Sequence, residues 1–318
     1  MKIALLQMTS GIDPAANAQT ITAAIAEAAA GGATMLFTPE MSGLIDRDRA
    51  RAAASLFAEA DDPVLAAVRA AAAAHHIWVH IGSLAVKEGD KLANRGFVID
   101  AGGNIRARYD KLHLFDVDLP TGESWRESAS YVPGEGAVVV ETPAGGLGLA
   151  ICYDLRFPDL FRALSDAGAT ILAVPAAFTR PTGAAHWHIL LRARAIEAGA
   201  FVVAAAQTGV HEDGRATYGH SLVIDPWGDV LLDMGEAAGL GFAEIDPARI
   251  GDVRGRIPVL SHRRAIPAVT AAWSSSICAV RAAMCSRPGS GRAMPMRISA
   301  GVGCCRARSA VRAISARP

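Results

Sequence analysis

Cysteine is scarce where a covalent framework would need it. The chain has 318 residues and five cysteines, and four of these, Cys278, Cys285, Cys304 and Cys305, lie in the last 54 residues. The first 264 residues hold Cys152 alone, which excludes an intramolecular disulfide there and fits a reducing compartment. The four late cysteines lack the paired spacing of a zinc site. No apolar run approaches the ~20 residues of a membrane-spanning helix. The opening Met1-Lys2-Ile3-Ala4-Leu5-Leu6-Gln7-Met8 is too short for a signal peptide, so the expected location is cytoplasmic. Phosphate-loop and dinucleotide fingerprints are missing, and the glycine pairs at 31, 102 and 145 read as turns. There is no internal repeat. Acidic residues stop before Ala265. Residues 1–264 carry 31 acidic and 23 basic side chains, a balance of −8, and the remaining eight basic residues are all arginines after Arg264. An acidic globular part argues against nucleic acid as a partner.

That asymmetry divides the chain into a folded part, 1–264, and an atypical basic tail, 265–318. The tail has no Asp, Glu or Lys and no sustained amphipathic period. We read it as disordered or as the product of a shifted reading frame.

Within 1–264, strand-like and helix-like blocks alternate. Ile3 to Gln7 is a short apolar strand. Asn17 to Ala30 is an alanine-rich helix ended by Gly31-Gly32. Met35-Leu36-Phe37 is a second strand, Pro63 to His75 a helix and Ile77 to Leu84 a strand. Three hairpins are expected: Asn94 to Tyr109 turning at 101–104, Ala137 to Cys152 turning at 143–146, and Ser221 to Leu232 turning at 225–228. Pro158 to Ala167 and His186 to Ala198 are helices, and Thr170 to Val174 and Phe201 to Ala206 strands. The pattern predicts an α/β fold with mixed sheets and helices on their faces.

Cys152 ends the apolar run Gly146-Leu147-Gly148-Leu149-Ala150-Ile151 and precedes Phe157-Pro158, which opens a helix. A lone thiol at a strand-to-helix junction is a candidate nucleophile if the chain supplies a base and an oxyanion partner. Three residues stand out as partners: Glu40 after Thr38-Pro39 at a strand end, Lys111 in Tyr109-Asp110-Lys111-Leu112-His113-Leu114-Phe115, and Glu127 in a polar loop. Each alone also reads as a cap, a salt bridge or a loop charge; their joint occurrence carries the weight.

Together these segments resemble the nitrilase, or carbon–nitrogen hydrolase, superfamily over residues 1–264. The Cys-Tyr-Asp-x-Arg-Phe-Pro block and the step from Lys111 to Glu127 carry the likeness. Thr182 to Trp187, Leu191 to Glu197, Tyr218-Gly219-His220-Ser221 and Asp225-Pro226-Trp227-Gly228 look like its Nit branch. The segments from Ala204 to Gln207 and from Arg215 to His220 lean, within that branch, towards enzymes acting on deaminated glutathione. The resemblance implies an αββα sandwich of two mixed sheets and a homodimer. It implies an amidase that needs no metal or organic cofactor and takes only a small amide and water.

In that mechanism Cys152 is the nucleophile and Glu40 the general base. Lys111 and the backbone N–H of Tyr153 hold the oxyanion, and Glu127 positions Lys111. Deaminated glutathione is the first choice of substrate, ahead of 2-oxoglutaramate and an N-carbamoyl amino acid. Arg156, Arg194 and His186 are the substrate-binding candidates, since arginine matches a carboxylate bidentately. The alternative for these arginines and for Arg192 is pairing with Asp154, Asp159 or Glu197. His113 and His220 are expected to be structural, and His75, His76 and His80 show no zinc pattern. Two readings from other classes are an idle binding protein and a thiol redox protein, the latter lacking a resolving cysteine in the folded part.

Overall fold

The computed structural model describes residues 1–118, 122 and 124–268. It falls into two units, Met1–His262 and Arg263–Pro318. The expectation for the tail lies outside the described residues from 269 onward.

The first half of the larger unit runs β1 (Lys2–Gln7), α1 (Pro14–Ala30), β2 (Met35–Phe37), α2 (Arg49–Ala52), α3 (Pro63–His75), β3 (Trp78–Glu88), β4 (Lys91–Ile99) and β5 (Ile105–Asp110). Small pieces follow: β6 (Asp116–Asp118), β7 (Ser124–Arg126) and β8 (Tyr131–Val132). The second half runs β9 (Val139–Thr142), β10 (Gly145–Leu149), α4 (Pro158–Asp166), β11 (Ile171–Ala173), α5 (Arg180–Ala198) and β12 (Phe201–Ala204). It ends with β13 (Thr208–Val210), β14 (Ala216–Tyr218), β15 (Leu222–Ile224), β16 (Val230–Asp233), β17 (Gly239–Glu244) and α6 (Ala248–Arg256).

Two large sheets result, in the orders β17-β1-β2-β3-β4-β5, with β8 beside β4, and β16-β15-β12-β11-β10-β9. Each has a parallel trio at its centre, β1-β2-β3 or β10-β11-β12, flanked by antiparallel strands. The period-two alternation of strand side chains assigns the layers. Ile3, Leu5 and Phe37 of the first sheet share a core with Leu147, Leu149 and Ile171 of the second. Their neighbours Ala4, Leu6 and Leu36 point the other way, onto Ile21 and Ile25 of α1 and Leu65 and Val68 of α3. On the second sheet, Leu160 and Phe161 of α4 and Trp187 and Leu191 of α5 complete the opposite face. The αββα sandwich expected from the sequence is the observed fold.

Three differences from expectation have physical reasons. α5 starts at Arg180 rather than His186, because Pro181 sits in its first turn and Gly183 faces the Tyr218 ring. A Cβ at Gly183 would stand 2.3 Å from that ring, so close packing explains a glycine inside the helix. β17 and α6 escaped the sequence pattern. The strand is Gly-Leu-Gly-Phe-Ala-Glu, poor in intrinsic propensity, and it forms because six residues pair with β1. Finally, the strand before the thiol ends at Leu149, and a one-turn 3-10 helix, Cys152–Arg156, intervenes before α4. No helix among the described residues is long and apolar enough to cross a membrane.

Candidate active site

Glu40 lies three residues beyond β2, on a loop pressed against β3. A Cβ on Gly82 would come within 2.3 Å of the Thr38 carbonyl and 2.5 Å of the Pro39 carbonyl, so only glycine lets the loop approach. Thr38 Oγ1 accepts from the Gly82 N–H at 3.1 Å, and Gln207 Nε2 donates to the Glu40 carbonyl at 3.0 Å. The Glu40 side chain is thereby fixed, 4 % exposed, beneath a cavity of about 760 Å³.

Lys111 follows β5. Its N–H continues the ladder to the Asn94 carbonyl at 3.0 Å, and its side chain is 2 % exposed. A buried ammonium requires compensation. Lys111 Nζ donates to Glu40 Oε1 at 2.9 Å and to Glu127 Oε1 and Oε2 at 3.2 and 3.0 Å. Glu127 opens a short 3-10 turn after β7, and its Oε2 also accepts from the Phe115 N–H at 2.6 Å.

Cys152 is the first residue of the 3-10 turn after β10, 8 % exposed, with φ of 49°. A positive φ is costly for a residue with a Cβ. It is held by the Cys152 N–H, which donates to the Pro175 carbonyl at 2.9 Å. Asp154 secures the same turn from below. Its Oδ2 accepts from the Ile151 N–H at 2.9 Å and the Tyr109 hydroxyl at 2.7 Å. Its Oδ1 accepts from the His113 N–H at 3.0 Å and meets His113 Nδ1 at 2.7 Å. One buried carboxylate thus binds the residues two before and two after Lys111 to the thiol turn, and so sets the two blocks in register. His113 stacks on Phe157 at 3.6 Å and, with its contact to Asp154, fits the structural role expected of it.

The electrostatics couple the three groups. Burial pushes the Glu40 carboxyl up, but Lys111 and hydrogen bonds from Lys111, Cys152 and Asn94 outweigh it and hold it below its ordinary value. Burial and the Glu40 charge push the Cys152 thiol well up. Burial opposes the Lys111 charge, but Glu127, Glu40 and Cys152 win and raise its pKa. The resting site is therefore a thiol, a carboxylate and an ammonium.

Asn94 was not singled out in the sequence. Its Nδ2 donates to Glu40 Oε1 and Glu127 Oε1, both at 3.0 Å, so it bridges the two carboxylates. The hairpin register pairs Arg95 with Asp110, which puts Asn94 opposite Lys111; a turn at 101–104 already implied that pairing.

The structure separates the substrate-binding candidates. Arg156 lines the cavity, its guanidinium 5.4 Å from the Phe178 ring and 6.0 Å from that of Tyr153. His186 stands behind it, Nδ1 at 3.2 Å from Arg156 Nη1. Arg194 is turned away. It donates to the Leu155 carbonyl at 2.9 and 3.2 Å and to Glu197 at 2.8 Å, bracing α5 against the thiol turn. Arg192 likewise serves the Gly228 carbonyl at 2.8 Å.

Comparison with known proteins follows the same outline. The family model described as Carbon-nitrogen hydrolase matches residues 2–255. A deaminated glutathione amidase of Yersinia enterocolitica is 38% identical over 278 residues, 86% of this chain and 96% of that protein. The crystal structure of the Caenorhabditis elegans NitFhit protein aligns with a TM-score of 0.77 at 41% identity, covering 83% of this chain and 65% of that one. A glutamate-to-glutamine variant of the amidase from Nesterenkonia sp. AN1, in which acrylamide has added to the active-site cysteine, aligns with a TM-score of 0.69 at 30% identity. It covers 81% of this chain and 98% of that one. A match running through almost all of the larger unit, on a shared fold, makes the assignment: this chain belongs to the carbon–nitrogen hydrolase family and is an amidase.

Proposed function

We propose that the chain hydrolyses deaminated glutathione to 2-oxoglutarate and cysteinylglycine through a thioester on Cys152. The observation that carries the mechanism is that Glu40, held by Lys111 Nζ at 2.9 Å, lines one cavity with Lys111 and Cys152 and acts electrostatically on that thiol. As Sγ bonds to the amide carbon, Glu40 takes the thiol proton. The carbonyl oxygen gains a negative charge, held by Lys111 Nζ and the N–H of Tyr153, the amide between two that are already bonded. Glu40 returns the proton to the leaving amine as the C–N bond breaks. Water, deprotonated by Glu40, then attacks the thioester, releases the acid and restores the thiol. Glu127 and Asn94 keep Lys111 and Glu40 in register throughout. Arg156 reads the carboxylate beside the substrate's keto group.

The substrate choice is supported by the name of the Yersinia relative and by a cavity within the usual ligand range of roughly 300–1,000 Å³. A homodimer and a cytoplasmic location belong to this reading. Exposed Ile189 and Ile196 on α5, and exposed Trp227 and Leu231 of the last hairpin, support an interface between copies. Turnover of deaminated glutathione, 2-oxoglutaramate and an N-carbamoyl amino acid, compared by kcat/KM, tests the substrate. Highest kcat/KM on deaminated glutathione is expected, and a preference for either rival overturns it. A Cys152→Ala protein that still released acid would sink the thioester.

A further inference from the structure

Three consecutive residues of α5 serve three surroundings. His186 meets Arg156 beside the cavity, Trp187 is buried in the core, and His188 turns to the last hairpin. There His188 Nε2 stands 3.0 Å from Asp233 Oδ2, and His220 Nδ1 stands 2.9 Å from Asp233 Oδ1. One ligand atom from each of these three residues lies within 4.8 Å of the other two. None of the three lines the catalytic cavity.

Each is held by contacts outside the trio. His220 has φ of 55°, a costly conformation for a residue with a Cβ. Its N–H donates to the Gly235 carbonyl at 2.6 Å, and its carbonyl accepts from Trp187 Nε1 at 2.8 Å. Its ring stacks on Tyr218, with centroids 4.5 Å and planes 23° apart. The His188 ring stands edge-on to the His220 ring at 5.1 Å and to the Tyr218 ring at 6.1 Å. Asp233 Oδ1 also accepts from the Gly235 N–H at 2.9 Å. The three side chains are 21 to 36 % exposed, so an ion can reach them from solvent.

Two imidazoles and one carboxylate are a donor set that zinc takes, as three protein ligands with an open fourth place. Bonds of about 2.0–2.2 Å in a tetrahedron put the ligand atoms about 3.3–3.5 Å apart. The two nitrogen–oxygen pairs are already closer than that. The widest separation has to close by at most about 1.4 Å, which side-chain torsions can supply. Magnesium and calcium, which take oxygen ligands, are poorly served by two nitrogens.

We propose that His188, His220 and Asp233 form a zinc site, apart from the catalytic cavity, that fastens α5 to the β15–β16 hairpin. On binding, each ring carries its proton on the nitrogen away from the ion, and the carboxylate exchanges its two ring contacts for a metal bond. The site is independent of the catalytic reading above.

The test uses the full chain, stripped of metal by a chelator. Zn2+ binding is followed by calorimetry and Co2+ binding by visible absorption. Cysteines elsewhere in the chain also take these ions, so the site is read as the difference between the wild type and two variants, His188→Gln and Asp233→Asn. The wild type is expected to bind Zn2+ at this site at least about tenfold more tightly than either variant. The cobalt difference spectrum should show d–d bands without the near-ultraviolet charge transfer of a thiolate ligand. Zn2+ should raise the melting temperature of the wild type more than that of either variant. Identical isotherms for all three proteins overturn the site, as does a thiolate band in the difference spectrum or displacement of Zn2+ by Mg2+. Tighter binding without the extra rise in melting temperature overturns the fastening of α5.

Discussion

At the scale of single residues, the site is a set of compensations around Lys111. Two carboxylates, tied together by Asn94, hold one nearly buried ammonium at the cavity wall. Asn94→Leu keeps the volume but removes both bridges, freeing Glu40 and Glu127 to repel one another. We expect kcat to fall roughly ten- to a hundredfold, the worth of about 1.5–3 kcal/mol for hydrogen bonds to charged groups, with a smaller change in KM. Steady-state kinetics check this; an unchanged kcat removes the bridge from the mechanism. The pH profile follows from Glu40. It must be ionised to act as base, and its pKa lies below the ordinary 4.5, so kcat/KM should hold level through neutrality and fall only under about that pH. An acid limb centred near neutrality would contradict the assignment. The choice of control matters too. Cys152→Ala retains the strained φ of 49°, whereas glycine would relieve it, so alanine isolates the loss of the thiol.

At the scale of elements, the strands and most helices are legible because they obey simple periodicity, and the site residues are legible because they cluster at element ends. What the sequence hid depends on partners far along the chain. β17 is defined by β1, more than 230 residues before it, and α6 is pinned by Arg254, which donates to the Gly199 and Ala169 carbonyls. Asp154 is equally hidden: it sits two residues after the nucleophile yet serves Tyr109 and His113 rather than a neighbouring arginine. Arg194 misled for the opposite reason, since an arginine on a helix reads the same whether it faces a cavity or a carbonyl. One element carries a pH liability. His80, in β3, is buried edge-on to Phe37 with Nδ1 unbonded, and burial drives its pKa down from 6.5 to about 3. The unfolded chain therefore takes up a proton that the folded one refuses. Stability is complete above pH 6.5 and declines towards pH 3, by an amount on the order of 5 kcal/mol at most. Denaturant titrations at pH 7 and pH 4 should show the drop, and His80→Leu should flatten it; an equal slope in both proteins would assign the acid loss elsewhere.

At the scale of the whole molecule, among the described residues the core and the cavity lie before residue 263, and the family match ends at 255. A chain truncated after Arg264 is expected to keep kcat/KM within about threefold and to unfold in a single transition. Loss of activity with retained helicity would instead assign the last residues a part in the site or the assembly. The placement of the chemistry has one further consequence. Glu40 and Lys111 hang from strands of the first sheet, while Cys152 follows a strand of the second. Turnover is then a gauge of alignment between the two layers: a slip of an ångström between them silences the enzyme while every strand and helix is still intact. Inactivation by mild denaturant or heat should accordingly run ahead of any loss of secondary structure, and ligands that span both layers should act as splints.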